Sequence, residues 1–235
     1  MTIGILQPGY LPWLGFFEQM YRSDVFVVYD DVQYDKHGWR NRNKIKTSKG
    51  PLWLTVPVKV SFKNKLLINE VKISNKTNWR KKHLLSINQN YAKAPFYREY
   101  IGMFEDFFSR SWENLIDVDM HFIVKLAECL RMGQKRIVKS SELGLSGNRI
   151  GKLINICKYF NADIFYEGSS GRNYIDEDIF LKSRIKVEFQ DYKHPVYNQL
   201  YADFLPNLSV VDLLFNHGRE SLSILLNQSR EESRL

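Results

Sequence analysis

Side chains that could do chemistry gather in three short segments, each of which follows a predicted strand. The first is Gln7-Pro8-Gly9-Tyr10-Leu11-Pro12-Trp13-Leu14-Gly15, where a strand ends and a helix begins. Backbone amides at the start of a helix are unpaired, and the helix dipole favours an anion beside them. Core packing is the alternative for the aromatic rings of this segment. Five of its residues are predicted to bind a substrate: Gln7, Pro8, Gly9, Tyr10 and Trp13.

The second segment joins two adjacent carboxylates to a basic, aromatic run. Asp30 and Asp31 follow a strand, and such carboxylates can hold Mg²⁺, accept a sugar hydroxyl or deprotonate an amine. Arginine binds phosphate through its planar fork, and an aromatic neighbour can stack on a base or a sugar. We therefore expect both aspartates to be catalytic; ion pairing with Arg40 or Arg42 is the alternative. The candidates for substrate binding are Gln33, Tyr34, Trp39, Arg40, Asn41, Arg42 and Lys44.

The third segment, 191–199, contains a histidine before a proline, which holds the histidine in an extended loop. His194 is a candidate acid or base, and Tyr197 and Gln199 are candidate substrate contacts. His83 lies on a predicted helix and is either packed in the core or turned toward the site. We take it as the fourth catalytic candidate. A structural role is the alternative for each histidine.

Several motifs are absent, which narrows the reaction classes. The chain has no G-x-G-x-x-G, G-x-x-x-x-G-K-[ST], H-E-x-x-H or G-x-S-x-G sequence. Its five histidines and two cysteines show no zinc spacing, and no metal site is predicted. Hydride transfer on a standard dinucleotide fold and zinc-dependent hydrolysis are therefore not expected.

The elements that position these segments alternate between strand and helix. Ile3 to Leu6 and Val25 to Tyr29 are apolar runs around a helix that opens at Pro12, which predicts a βαβ unit. The alternation resumes in the second half of the chain, with strands at 164–166 and 185–189 and a helix before each. Loops at the carboxyl ends of parallel strands form the ligand crevice, so we expect the segments at that edge of the sheet.

Helical and hairpin patterns lie between the two parts of this alternation. Three helical patterns follow one another from about 77 to 132, and 52–58 and 66–73 are predicted to pair as a hairpin. We predict one domain, 1–235, with an α/β fold: a Rossmann-like three-layer sandwich with a mostly parallel sheet and an inserted α-helical lobe. A polar C-terminal tail begins at about 228.

The chain is basic. Its 235 residues include 34 Lys+Arg against 26 Asp+Glu, a formal net charge of +8, and its 44% hydrophobic residues exclude a disordered chain. This charge suits nucleic acid, anionic lipid headgroups or a phosphate-bearing small molecule. The dense basic segment 36–49 is interleaved with a tryptophan and asparagines, which favours a pocket for a phosphorylated small molecule. The N-terminus lacks a basic signal-peptide region and no run reaches about 18 apolar residues, so we expect a cytoplasmic protein without a spanning segment.

These segments resemble the WbqC-like protein family over nearly the whole chain. The matching stretches are QPGYLPWLGFF at 7–17, SDVFVVYDDVQY at 23–34, GWRNRNKIKTSKGPLWLTVPV at 38–58, WRKKHL at 79–84, FQDYKHPVYNQ at 189–199 and FLPNLSVVDLLFNHG at 204–218. Family members resemble products of gene clusters for bacterial O-antigen, a part of lipopolysaccharide, and for other surface polysaccharides. The resemblance implies a glycine transferase that adds an aminoacyl group to an amino sugar.

A second similarity concerns Ser169-Ser170-Gly171-Arg172-Asn173, which resembles the Ser-Ser-Arg-Asn stretch of pantothenate synthetases. Those enzymes join a carboxylate to an amine through an adenylate. Gly171 interrupts the stretch here, and the H-x-G-H signature of nucleotidylyl-transferase and class I synthetase folds is missing at 12–15. The similarity makes Ser169 and Ser170 candidate substrate contacts, and it makes ATP with Mg²⁺ a candidate cofactor.

The leading hypothesis is an enzyme that acylates the amine of a nucleotide-linked amino sugar, with glycine as the favoured acyl group. Arg40, Arg42 and Lys44 would bind the diphosphate, and Trp39 or Tyr34 would stack on the base or the sugar. One catalytic candidate would take a proton from the amine, since only the neutral amine is nucleophilic. The donor is an adenylate formed in place, a charged tRNA or a thioester. The alternatives are a nucleic-acid-binding protein that uses 36–49, and a non-catalytic subunit of a polysaccharide-assembly complex.

Overall fold

The computed structural model describes residues 1–60 and 65–227, and the polar tail predicted from about 228 lies outside the described residues. The strands are β1 (Thr2–Leu6), β2 (Val25–Val28), β3 (Arg42–Thr47), β4 (Gly50–Thr55), β5 (Val58–Lys59), β6 (Lys72–Ile73), β7 (Arg136–Lys139), β8 (Ile164–Glu167) and β9 (Lys186–Phe189). The helices are α1 (Leu14–Arg22), α2 (Trp79–Tyr91), α3 (Tyr97–Ser109), α4 (Leu115–Cys129), α5 (Arg149–Tyr159), α6 (Glu177–Lys182), α7 (Val210–His217) and α8 (Ser221–Leu225).

Five strands form one parallel sheet in the order β7-β2-β1-β8-β9. The residues of β2 are apolar and buried at every position, as a strand that is covered on both faces requires. The chain moves outward from β1 to β2 and β7, then returns past β1 to β8 and β9. The order therefore reverses between β1 and β8, and such a reversal leaves a crevice at the carboxyl edge of a sheet. The predicted α/β fold with a parallel central sheet is confirmed.

Each face of the sheet is covered by its own apolar cluster, because successive side chains of a strand point to opposite faces. On one face Ile3 and Ile5 of β1 pack with Phe180 of α6 and with residues of α5. On the other face Phe26 of β2 packs with Phe17 of α1 and with a larger cluster that includes α2, α3, α4 and α7. The loop that follows β1 emerges at the edge between these layers.

An antiparallel hairpin of β3 and β4 stands beside the sheet. The predicted hairpin of 52–58 with 66–73 is wrong over most of its length, because β4 pairs with β3 and only the short strands β5 and β6 meet. In β3 the buried positions are Asn43, Ile45 and Lys46. Because two of these are polar, the sequence lacks the alternation of apolar and polar residues that would predict a strand. Burial of the two polar side chains is offset by their hydrogen bonds to distant loops.

Candidate functional site

A cavity of about 410 Å³ opens beside the end of β1, at the carboxyl edge of the sheet. Two of the three predicted segments meet there. The loop after β1 forms one wall, and the chain entering β3 forms the other. One further residue comes from the loop before α7. The cavity is lined by Leu6, Gln7, Pro8, Gly9, Tyr10, Pro12, Trp13, Phe16, Trp39, Arg40, Asn43, Lys44 and Asn207.

Hydrogen bonds hold the loop after β1 against the second segment. The Tyr10 amide donates to the Arg40 carbonyl at 3.0 Å, and the Arg40 guanidinium donates to the Pro8 carbonyl at 2.9 Å. Nδ2 of Asn43 donates to the Leu11 carbonyl at 2.6 Å. Leu11 has a left-handed backbone with a φ of 47°, which costs a residue other than glycine roughly 1 kcal/mol or more. These bonds keep that conformation, so the wall is organised before a ligand arrives.

Gly9 allows the two walls to approach each other closely. A Cβ atom at this position would lie 3.0 Å from the Trp39 carbonyl oxygen, which is tighter than ordinary contact. The Ser209 amide, directly before α7, donates to the Lys44 carbonyl at 2.9 Å and ties the start of that helix to β3. Backbone groups of Lys44 are thus fixed.

Arg40 and Lys44 make the cavity positive. Within the described part of the chain, no lining side chain is acidic. The rest of the lining consists of amide side chains such as Gln7 and Asn207 and of mostly apolar residues such as Trp13 and Phe16. Guanidinium and ammonium groups bind phosphate oxygens, and a concave wall of one charge concentrates anions. The cavity therefore fits a phosphate-bearing ligand.

A neutral aromatic pair lies behind the loop after β1. The hydroxyl of Tyr10, fully buried, lies 2.9 Å from Nδ1 of His83. His83 packs edge-on against Trp79 and Phe108. Burial lowers the pKa of His83 to about 4, so the imidazole is uncharged at neutral pH. Of the two positions left open for His83, the structure favours the packed one.

Arg40 also faces a buried acid that sequence reasoning missed. Asp119 of α4 is fully buried, and burial raises the pKa of its carboxyl well above the ordinary value while the charge of Arg40 opposes that rise. Among the described residues, both Asp119 oxygens, Nε of Arg40 and the Tyr34 hydroxyl lack a hydrogen-bond partner. Burial likewise lowers the pKa of the Arg40 guanidinium, and the charge of Asp119 opposes that fall. The available signal was an aspartate on the apolar face of a helix.

Asp30 and Asp31 lie at the end of β2, outside the cavity lining, where protein groups occupy their oxygens. Asp30 is buried and accepts hydrogen bonds from the Ser141 amide at 2.9 Å, the Ser141 hydroxyl at 2.7 Å and the Ser140 hydroxyl at 3.1 Å. The single hydrogen of the Ser140 hydroxyl is shared with Asp31, which also pairs with Lys152 at 2.6 Å. The ion-pair partner is therefore Lys152. The catalytic role of both aspartates stays a prediction.

The remaining candidates of the second segment have varied surroundings. Tyr34 is buried, and Gln33 is exposed and forms an isolated bridge with Leu67. Nδ2 of buried Asn41 donates to a backbone carbonyl at 2.8 Å. The Arg42 guanidinium donates to the carbonyls of residues 37 and 38 at 2.6 and 3.3 Å. None of these four side chains lines the cavity in the described structure.

The third segment belongs to a separate buried network. The Tyr197 hydroxyl donates to Asp212 at 3.0 Å, and Oε1 of Gln199 accepts from the buried Lys46 ammonium at 3.0 Å. His194 stacks on Tyr197 at 6.2 Å between ring centres, and burial lowers its pKa. These contacts fasten the loop before α7 to β3. Two other candidates, Ser169 and Ser170, are exposed on a 3₁₀ turn after β8 and lie outside the cavity lining.

The fold and the cavity define an α/β protein with a basic cavity at the carboxyl edge of a parallel sheet. Over residues 1–60 and 65–227, no helix combines the length and apolar character needed to cross a membrane. In the same ranges, no cluster of three or more His, Cys, Asp or Glu side chains could hold a metal ion.

Comparison with known proteins identifies the family. The model of the WbqC-like protein family matches residues 7–224, and the chain belongs to this family. It is 34% identical over 221 residues to the uncharacterized protein Rv1507c of Mycobacterium tuberculosis, an alignment that covers 93% of this chain and 95% of that protein. No solved structure matches the chain significantly.

Proposed function

We propose that the cavity binds a nucleotide-linked amino sugar and that the protein is a transferase of bacterial surface-polysaccharide (O-antigen) biosynthesis. In this proposal it forms an amide between an acyl group, glycine being favoured, and the amine of the sugar. The observation that carries the proposal is the cavity itself, in which Arg40 and Lys44 line one wall and no acidic side chain of the described residues lines any other. Membership of the WbqC-like family supports the assignment to polysaccharide biosynthesis.

The surrounding fold supports phosphate binding at this place. The order of the five strands agrees with a Rossmann-like sheet, whose ligands bind where the order reverses. Helix α1 begins at Leu14, directly after the lining residue Trp13, and has no acidic residue in its first turn. Its dipole therefore adds to the attraction of an anion.

The chemistry of the proposal is a nucleophilic acyl substitution. The neutral amine attacks the acyl carbonyl carbon, a C–N bond forms, and the bond from that carbon to the leaving group breaks. The leaving group is AMP, the 3′ end of a tRNA or a thiol, according to the donor, and the amine nitrogen loses a proton. The described cavity supplies binding and orientation. The four predicted bases, Asp30, Asp31, His83 and His194, lie outside its lining, and their roles remain proposals.

Mass spectrometry of a reconstituted reaction tests the function. The purified protein is incubated with UDP-linked amino sugars and one of three donors: glycine with ATP and Mg²⁺, glycyl-tRNA, or a glycyl thioester. The expected product is an amino sugar that carries one additional glycyl group. Lys44→Gln should slow the reaction, whereas Lys125→Gln, which changes a partly exposed lysine of α4 outside the cavity lining, should not. Absence of a new product with every donor would contradict the proposal.

A further inference from the structure

Two tryptophans lie side by side on the surface next to the cavity. The rings of Trp39 and Trp53 are 5.0 Å apart between centres and tilted by 42°. Their exposed fractions are 43% and 44%. Leaving two such large apolar side chains in water forgoes the roughly 1.5–3 kcal/mol that burial of a large apolar side chain supplies. Trp39 also lines the cavity, so the ring pair continues its wall outward.

The hairpin of β3 and β4 builds this surface. Trp53 pairs directly with Lys44 across the hairpin, and Arg42 lies two residues before Lys44 on the same face. The Lys44 ammonium lies 5.5 Å from the ring centre of Trp39 and 5.6 Å from that of Trp53. The Arg42 guanidinium carbon lies 5.0 Å from the ring centre of Trp53. One lysine therefore borders both the cavity and the aromatic pair.

We propose that Trp39 and Trp53, with Arg42 beside them, form a stacking subsite for the base of a nucleotide whose phosphates bind at Lys44 and Arg40. This inference rests on the proposed function and adds Trp53 to the site. Tyr34, the other ring considered for stacking, is buried and cannot receive a base.

The chemistry favours a single base. A base stacks on an aromatic side chain with a gain of about 1–3 kcal/mol, and nearby cations bind the attached phosphates. A nucleic-acid polymer requires a succession of stacking rings along a groove. Among the described residues, Trp39 and Trp53 are the one pair of contacting aromatic rings that are both exposed, and this pair lies beside the cavity. A single pair fits one base joined to a short phosphate group.

Calorimetric affinities for UDP, ADP and inorganic pyrophosphate test the subsite. The wild type should bind both nucleotides about tenfold or more tightly than pyrophosphate, since stacking tolerates either base. Trp53→Ala should weaken nucleotide binding about tenfold and leave pyrophosphate binding unchanged, and Trp53→Phe should restore most of the difference. Leu52→Ala changes an adjacent residue of β4 that is 38% exposed and should alter neither affinity.

Each other outcome has a definite meaning. The stacking subsite would be overturned if the wild type bound nucleotides and pyrophosphate with equal affinity. It would also be overturned if Trp53→Ala reduced both affinities equally. Neither result would contradict anion binding in the cavity. If Trp53→Ala weakens the binding of N-acetylglucosamine 1-phosphate as much as the binding of UDP, the rings bind a sugar and the proposed stacking of a base is wrong. If an oligonucleotide binds far more tightly than UDP with a steep salt dependence, the surface serves a polymer. Failure of the wild type to bind UDP, ADP or pyrophosphate would overturn both the proposed function and the subsite.

Discussion

The loops that follow β1 and β2 lie at the same edge of the same sheet, yet the charged side chains near them differ in their partners. After β2, the oxygens of Asp30 are filled by donors from the turn after β7, and Asp31 is paired with Lys152. After β1, backbone groups hold the loop while Arg40 and Lys44 line a cavity without acidic neighbours in its described lining. A charge whose partners are all supplied by the protein stabilises the fold. A charge directed into a cavity is available to a ligand.

Removal of the Asp30 carboxylate tests the first half of this comparison and should have the largest effect. Asp30→Ala leaves the amide and the hydroxyl of half-buried Ser141 without their acceptor, whereas the Ser140 hydroxyl can still donate to Asp31. Each such loss costs about 1–3 kcal/mol. We expect the free energy of unfolding, measured by urea titration, to fall by about 4 kcal/mol. Asp30→Asn retains one acceptor and should lose less. If Asp30→Ala keeps wild-type stability but loses all transferase activity, the aspartate is catalytic instead.

The pH dependence of stability tests whether His83, which lies behind the loop after β1, has a structural role like that of Asp30. The pKa of His83 is about 4 in the folded protein, below the ordinary 6.5, so the unfolded chain binds the proton more readily. The contribution of neutral, buried His83 to the free energy of unfolding is therefore complete above pH 6.5. It is lost as the pH falls from 6.5 toward 4, because the unfolded chain gains a proton that the folded protein does not bind. The loss should reach roughly 3 kcal/mol. His83→Gln should flatten this part of the stability profile, and parallel profiles for both proteins would contradict the assignment.

Substitution of one lysine in each region separates ligand binding from stability. Lys44→Gln should weaken pyrophosphate binding about tenfold, because a charged hydrogen bond contributes about 1.5 kcal/mol, and should barely change stability. Lys152→Gln breaks the ion pair with Asp31 and should reduce the free energy of unfolding by about 1 kcal/mol without weakening pyrophosphate binding. Calorimetry and urea titration of the two variants measure both quantities. If Lys152→Gln weakened pyrophosphate binding and Lys44→Gln did not, the ligand would bind after β2.

Local patterns were sufficient to predict the parallel strands and two walls of the cavity. An apolar run such as β2 predicts a buried strand, and the Pro8-Gly9 pair predicts the loop that follows β1. The basic composition of 39–44 indicated a phosphate site. Four residues of this segment, Trp39, Arg40, Asn43 and Lys44, line the cavity, and their role in phosphate binding stays a prediction. In these cases the deciding information lies within a few neighbouring residues.

The remaining features depend on contacts between distant parts of the chain. Lys46 is buried in β3 because Gln199 and carbonyls of residues 201 and 203 accept its ammonium hydrogens. Asp30 is saturated by serines that lie 110 and 111 residues further along. Trp53 acquires its position only when β4 pairs with β3. Residue type and local spacing contain no record of such partners.

A crystal structure of the protein with a UDP-linked amino sugar would show whether the cavity beside β1 binds the diphosphate. The diphosphate should lie about 3 Å from Nζ of Lys44, within the cavity between the loop after β1 and the start of β3. The uracil ring should lie against Trp39 and Trp53. A diphosphate bound instead at Ser140, Ser141 and Lys152, with the cavity beside β1 unoccupied, would mean that the ligand binds after β2.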